Sequence, residues 1–413
     1  MNKDIRKVLE NGFSLLVLQS GNYIVPLVLT PYLIIKLGVG AFGTLSFIIA
    51  INTFFRVFVS YGFDFTATKA VAESSNDLRI LGKIFTDVIF AKSLLCIISF
   101  IILCTLIFTV EQFTENKLLL LSYFILVIAD VFFPAWLFQG LQNMKVITFL
   151  KLFSKFTFVG LVLVYVNSPE DILYIPLIEA SISIIISLAS IIIAVRMFKL
   201  KLYSLSLKRS LDLLISARHV FLSKGAVLFY TSLNTVILGL MFSNVIVGYY
   251  SIAEKVYMAS RELFRPFIQA VFPYLAGFRK RSYTSFKKYV QYSFLTLMLL
   301  LSIFSGLLFI FGEALLIFLI EGPVSESLPI LKVFSMTLLF AIGGFLSSIL
   351  ILEEKGSVLT KVTFTTVVVN LILVYPMLLF FGAIGLAYCF FIVQLVHFII
   401  QIYVNREILK RVH

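Results

Sequence analysis

Arg56, Arg261 and Arg265 each stand inside a long apolar stretch, where a charge has no water to hold it. A guanidinium stays ionised at ordinary pH and offers a planar fork of N–H donors that matches phosphate oxygens. Lining a wet cavity, these three side chains would grip an anionic group, such as a phosphate, on its way through a bilayer. Glu254, Arg261 and Arg265 follow one another at spacings of seven and four, which sets them on one helical stripe, with Glu262 beside it and Pro266 just beyond. Asp64 and Lys92 complete the candidate binding set, Lys92 with Asp87 near the inner boundary of its segment, where a headgroup would arrive. The plainer reading of the same residues is internal pairing, Arg56 with Asp64 and Arg265 with Glu262, which would only fix helix packing.

Asp130 lies in IADVFFPAW, four residues before Pro134. Burial favours a neutral carboxyl, so an isolated Asp130 would take up a coupling proton; it would take a cation such as sodium if carbonyls freed near Pro134 joined it. Pairing with Lys92 or Lys155 is the structural alternative. Glu254 is a second candidate for ion coupling, and Glu179 a weaker one near the outer boundary. Cys96, Cys104 and Cys389 sit in apolar runs without paired spacing and read as small buried hydrophobes. His219, His397 and His413 suggest no metal site, and Trp136 reads as an interface or packing aromatic. No nucleotide-binding loop or hydrolase constellation is present, so the chain reads as a protein that is not an enzyme and carries no cofactor.

The elements that must position these groups follow from composition. Of 413 residues, 60% are hydrophobic and 13% charged, with a mean hydropathy of +1.05. A soluble domain is nearer half apolar and a quarter charged. Apolar windows near 13–36, 44–66, 84–109, 118–139, 148–167, 172–195, 220–242, 248–275, 289–311, 330–352, 358–381 and 383–404 predict an all-α polytopic membrane protein with twelve transmembrane helices. The first window continues past Pro26 without a small-residue cleavage pattern and reads as a retained span.

The net charge is +13. Most Lys and Arg fall in short connectors that share one side if the N-terminus is inside: Lys3, Arg6 and Lys7, then Lys69 to Lys83, Arg196 to Lys224, Arg279 to Lys288, and Arg406 to Arg411. This bias predicts both termini in the cytoplasm and anionic lipid, not nucleic acid, as the partner of the basic segments. The longest inner connector, Arg196 to His219, carries KLYSLSLKRSLDLL, spaced for an amphipathic helix on the inner leaflet. It divides the chain into an N-terminal six-helix lobe (1–200), a linker (201–219) and a C-terminal six-helix lobe (220–413). GTLSF at Gly43 and GYYSIAEK at Gly248 are each followed by an arginine thirteen residues after the glycine, as a parallel repeat would place it. Gly343 and Gly344 are suited to close helix contact.

Four stretches resemble one family: LQSGNYIVPLVLTPYLIIKLGVGAFGTLSF (18–47), YGFDFTATKAVA (61–72), PAWLFQGLQNMKVIT (134–148), and the segment 234–277 beginning NTVILGLMFSN. They are similar to bacterial polysaccharide flippases of the Wzx type, within the multidrug/oligosaccharidyl-lipid/polysaccharide exporter superfamily. The resemblance implies two six-helix lobes around a central cavity, alternating access, and residence in the bacterial inner membrane. The implied substrate is an undecaprenyl-pyrophosphate-linked oligosaccharide, such as an O-antigen repeat unit, moved from the cytoplasmic to the periplasmic leaflet. Polysaccharide polymerase and chain-length regulator proteins are the implied partners. Related lipid II flippases carry cavity arginines on their second and eighth helices, where Arg56, Arg261 and Arg265 fall.

Two other readings remain open at this stage. A multidrug cation exporter of the same fold would need an acid-rich cavity, for which Glu254, Glu262 and Asp64 are available. A membrane-embedded polymerase or ligase would need a sizeable outer loop, and the longest expected, Glu313 to Pro329, is short.

Overall fold

The computed structural model describes residues 3–320 and 323–409, with side chains from Val17 onward apart from scattered helix positions. The side chains of Lys3, Arg6, Lys7, Lys280, Lys410, Arg411 and His413 lie outside the described residues, so the terminal part of the charge pattern has no structural account. Among the described residues every regular element is helical, and nine helical stretches are long and apolar enough to cross a bilayer.

The expected spans 13–36 and 44–66 are two legs of one element, α1 (Lys3–Ser60), broken at Gly38. Gly38 has φ 69° and ψ 173°, a conformation open to glycine and strained for any residue with a Cβ. The second leg ends at Tyr61 and Gly62, both with positive φ, and α2 (Phe63–Glu73) follows. Next come α3 (Leu78–Thr109), α4 (Glu111–Glu115), α5 (Lys117–Val131), α6 (Ala135–Gly140), α7 (Met144–Tyr165) and α8 (Tyr174–Met197). The break between α5 and α6 falls at Phe132 to Pro134, where proline has no N–H to continue a helix.

The linker has no regular secondary structure up to Ser206, and then α9 (Leu207–Thr231) runs without interruption through the junction expected at 219/220. Nothing in the sequence there breaks a helix, so the linker and the start of the next segment are one rod. α10 (Leu233–Met241), α11 (Asn244–Glu262) and α12 (Arg265–Arg281) occupy the windows 220–242 and 248–275, neither of which is among the nine apolar stretches. The cause is their polarity and their breaks: α11 alone carries Glu254, Lys255, Arg261 and Glu262. α13 (Tyr283–Leu319), α14 (Ser327–Thr337), α15 (Gly343–Leu352), α16 (Gly356–Phe381), α17 (Ala383–Val404) and α18 (Arg406–Leu409) complete the chain. Because α13 stays helical to Leu319, the outer connector expected from Glu313 is only a few residues long.

The chain forms two compact units, Met1–Leu37 with Phe47–Gly225 and Gly38–Ser46 with Ala226–His413. The first unit packs Phe63, Phe85, Trp136, Leu137 and Phe138 into one buried cluster. Trp136 is therefore a core side chain and not an interfacial one. The second unit stacks Tyr250, Tyr257, Phe334 and Phe390, with Tyr257 and Phe334 ring centroids 5.4 Å apart. Within it, the segment carrying Gly43 lies directly on α11. A Cβ on Gly43 would stand 2.6 Å from the Gly248 nitrogen, and one on Gly248 would stand 2.8 Å from the Val39 carbonyl carbon. The two glycines of the sequence echo thus meet backbone to backbone, a contact only residues without side chains allow.

Candidate functional site

In the first unit, Arg56 and Asp130 come together across 74 residues of chain, Nε donating to Oδ2 at 2.6 Å. The expected partner Asp64 is elsewhere: it accepts from Lys224 Nζ at 2.7 Å and from Ser60 Oγ at 3.1 Å. Arg56 reaches Asp130 because the second leg of α1 passes the end of α5, whereas Asp64 lies two turns further on, past the break at Gly62.

Asp130 is thus neither isolated nor paired through its side chain with a lysine. Lys92, buried on α3, donates to its main-chain carbonyl. Ser187 of α8 donates to the carbonyl of Ala129 at 2.8 Å. Both are last-turn carbonyls of α5: that of Ala129 also accepts from Phe132 N at 3.1 Å, and that of Asp130 faces Pro134, which has no N–H to give it. A cation is well placed at that negative helix end, and here it is an ammonium. Both carbonyls accept a hydrogen bond from a side chain. Lys92 is buried in the protein interior. Asp87, its expected neighbour, is turned to the linker, where Arg209 grips it with Nε to Oδ2 at 2.7 Å and Nη2 to Oδ1 at 3.0 Å.

Around the Arg56–Asp130 pair, Lys92 and Lys151 lie within electrostatic reach of both Asp130 and Asp64, and Glu179 interacts with Arg56 and Lys155. With Lys224 the group holds five cations (Arg56, Lys92, Lys151, Lys155, Lys224) against three carboxylates (Asp64, Asp130, Glu179). Arg56 and Asp130 keep 46% and 41% of their side-chain surface exposed, so the pair is open on one side and a guanidinium edge stays available. Lys151 and Lys155, four apart in the otherwise apolar window 148–167, are the sequence signal for this face.

In the second unit, α11 ends at Glu262 and α12 starts at Arg265 with Pro266 in its first turn. The short break turns the stripe into a clasp. Glu262 accepts from Arg261 Nη2 at 3.3 Å and from Arg265 Nη1 at 3.1 Å. The pairing of Arg265 with Glu262 is present, and it leaves one positive charge in surplus. Arg261 and Arg265 are 40% and 54% exposed. Both line a cavity of about 450 Å³, which also takes in Gln269, Ser347, Thr366 and His397. The N-terminus of α12 adds the positive end of its dipole at Arg265. Glu254 does not line this cavity. Among the described residues no group of His, Cys, Asp and Glu could hold a metal ion, and Cys96, Cys104 and Cys389 are free thiols.

Among the described residues the nine long apolar helical stretches define a polytopic membrane protein. The fold is similar to that of the lipid II flippase MurJ in an inward closed conformation, with TM-score 0.74, 15% identity, and coverage of 95% of this chain and 87% of that one. It is also similar to an inward-facing multidrug resistance MATE family transporter of the MOP superfamily, with TM-score 0.70, 13% identity, and coverage of 93% and 97%. Residues 8–279 match the family of polysaccharide biosynthesis proteins, and the chain belongs to that family. It is 26% identical over 390 residues to the "Putative O-antigen transporter" of Escherichia coli strain K12, covering 94% of each chain. The protein of the same name from Shigella dysenteriae is 27% identical over 381 residues, covering 91% of this chain and 94% of that one.

Proposed function

We propose that this protein flips an undecaprenyl-pyrophosphate-linked oligosaccharide, of the O-antigen class, from the cytoplasmic to the periplasmic leaflet. Twelve spans in two six-helix lobes, alternating access and cytoplasmic termini belong to the same proposal. The observation that carries it is the surplus of cations on polar helix faces and ends: Arg56 with its lysines in one unit, Arg261 and Arg265 on a cavity in the other. The names of the relatives, O-antigen transporter and lipid II flippase, support the substrate class.

The physical need is plain. A diphosphate cannot enter hydrocarbon, because its ionised oxygens would lose their water without replacement. Guanidinium donors supply that replacement while the polyprenyl tail stays in lipid. An inside-negative potential drives the anion outward by about 2.3 kcal/mol per charge per 100 mV. A coupling ion, proton or sodium, is assigned in this proposal to Glu254 or Asp130, the latter exchanging its arginine for a proton.

A drug exporter for lipophilic cations would need unengaged acids. Asp64 and Glu262 are each held by a lysine or arginine, as is Asp130, and Glu254 does not line the cavity of Arg261 and Arg265, which favours the anion carrier. The test is a deletion strain complemented with wild type, Arg56→Gln or Arg265→Gln. Loss of the protein should trap lipid-linked repeat units in the cytoplasmic leaflet, and neither variant should clear them. Full clearance by both variants would overturn the arginine role, and the absence of trapping would overturn the flippase reading.

A further inference from the structure

We propose that His397 is a proton-exchange site on the wall of the second unit's cavity, and that its protonation strengthens the hold of that cavity on a diphosphate. The proposal rests on the reading of Arg261 and Arg265 as anion donors and adds a regulator to them.

The geometry fixes which ring nitrogen is available. His397 Nδ1 lies 3.1 Å from Thr366 Oγ1, and Thr366 Oγ1 lies 2.9 Å from the carbonyl of Val362. A carbonyl only accepts, and the proposal assigns the single hydroxyl proton of Thr366 to Val362, the back-bond a helical threonine makes to its i−4 carbonyl. Nδ1 must then be the N–H that donates to the hydroxyl oxygen. The neutral ring carries its lone pair on Nε2, and a proton taken from solution goes there.

That edge of the ring lies against Gly343, where an added Cβ would stand 3.0 Å from His397 Cδ2 and 3.3 Å from Nε2. Glycine at 343 therefore leaves the space that gives Nε2 its access. Gly343, Thr366 and His397 all line the cavity of Arg261 and Arg265. Among the described residues Nε2 has no protein partner.

The charged and titratable groups facing this cavity besides His397 are Tyr257, Arg261 and Glu262 from α11 and Arg265 from α12; α13, α15, α16 and the rest of α17 contribute apolar, hydroxyl or amide groups. Two arginines and one glutamate give a single positive surplus, and an imidazolium doubles it. One added charge at this range changes the affinity for an anion on the order of tenfold. By reciprocity the bound anion must favour the protonated ring by the same factor. Proton and diphosphate are therefore bound together and not in exchange, and an acidic outer face slows release.

The test uses the full chain in lipid nanodiscs and the geranyl diphosphate ester of N-acetylglucosamine, a diester whose charge is constant across the range. Wild type should bind it about tenfold tighter at about pH 5.5 than at about pH 8, and His397→Gln should show the weaker affinity at both. Histidine ¹⁵N NMR without ligand, with the His397 signal assigned by its loss in His397→Gln, should show a titrating ring with Nδ1–H at alkaline pH. An Nε2–H tautomer, a ring that does not titrate, or a pH dependence retained in His397→Gln overturns the proposal alone. No binding by wild type at either pH overturns the arginine reading, and this proposal with it.

Discussion

Replacing Asp130 with Asn separates a binding role for Arg56 from a packing role. The carboxylate holds Arg56 through Nε at 2.6 Å and leaves the outer edge of the guanidinium for a ligand. A diphosphate oxygen on that edge would lie about 6 to 7 Å from the Asp130 carboxylate. Unit charges at that range, at an effective dielectric of about 20, repel by about 2.5 kcal/mol. Both side chains are nearly half exposed, 46% and 41%, and solvent screening brings this to about 1.4 kcal/mol, a factor of about ten in affinity. The substitution spares the fold, since Lys92 binds the main-chain carbonyl of residue 130 and not its side chain. Titration with the geranyl diphosphate ester should therefore show Asp130→Asn binding about tenfold tighter than wild type and Arg56→Gln at least tenfold weaker. By the same repulsion the double variant should bind more tightly than Arg56→Gln and more weakly than Asp130→Asn. Undiminished binding of the ester by Arg56→Gln, or binding by Asp130→Asn no tighter than wild type, would mean that the pair only packs helices, and the reasoning would fail.

Three further outcomes follow from the packing. Gly248→Ala places a methyl against the Val39 backbone, which must retreat by roughly 1 Å, so thermal unfolding of the purified protein should show a loss of about 1 to 3 kcal/mol; an unchanged melting temperature would refute the close contact with the Gly43 segment. Lys92→Met keeps the volume but orphans the carbonyl at the end of α5, and should cost about 1 to 3 kcal/mol in the same assay. Asp87→Asn releases Arg209 and with it the start of α9, so limited proteolysis should cut the linker before Leu207 faster than in wild type; equal cutting rates would show that the clamp does not hold the linker.

Much of the fold was legible because a span needs only length and apolar composition, both local properties. Leu78–Thr109 or Ala383–Val404 can be read from residue types alone. The reading weakened where function intervened. The windows around 220–275 carry Arg261, Glu262 and Arg265, and the polarity that marks the site also breaks the apolar signal and the helix. Asp130 looked isolated because its neighbours in sequence are apolar, and its true partner is 74 residues away. His397 suggested no site in the sequence for the same reason: nothing beside it in the chain hints at Thr366, Gly343 or the cavity they share.

The sequence alone determined the solvent of this protein, the existence of its helices and the identity of its permanently charged groups, because hydropathy and guanidinium ionisation belong to residues and short segments. Tertiary structure decided which charge meets which. Arg56 turned to Asp130 and left Asp64 to Lys224, and Lys92 closed the end of a broken helix. Arg261 and Arg265 came to share Glu262 on one cavity wall. Electrostatic pairing acts over a few ångströms of space, and distance along the chain says nothing about it until the helices have packed.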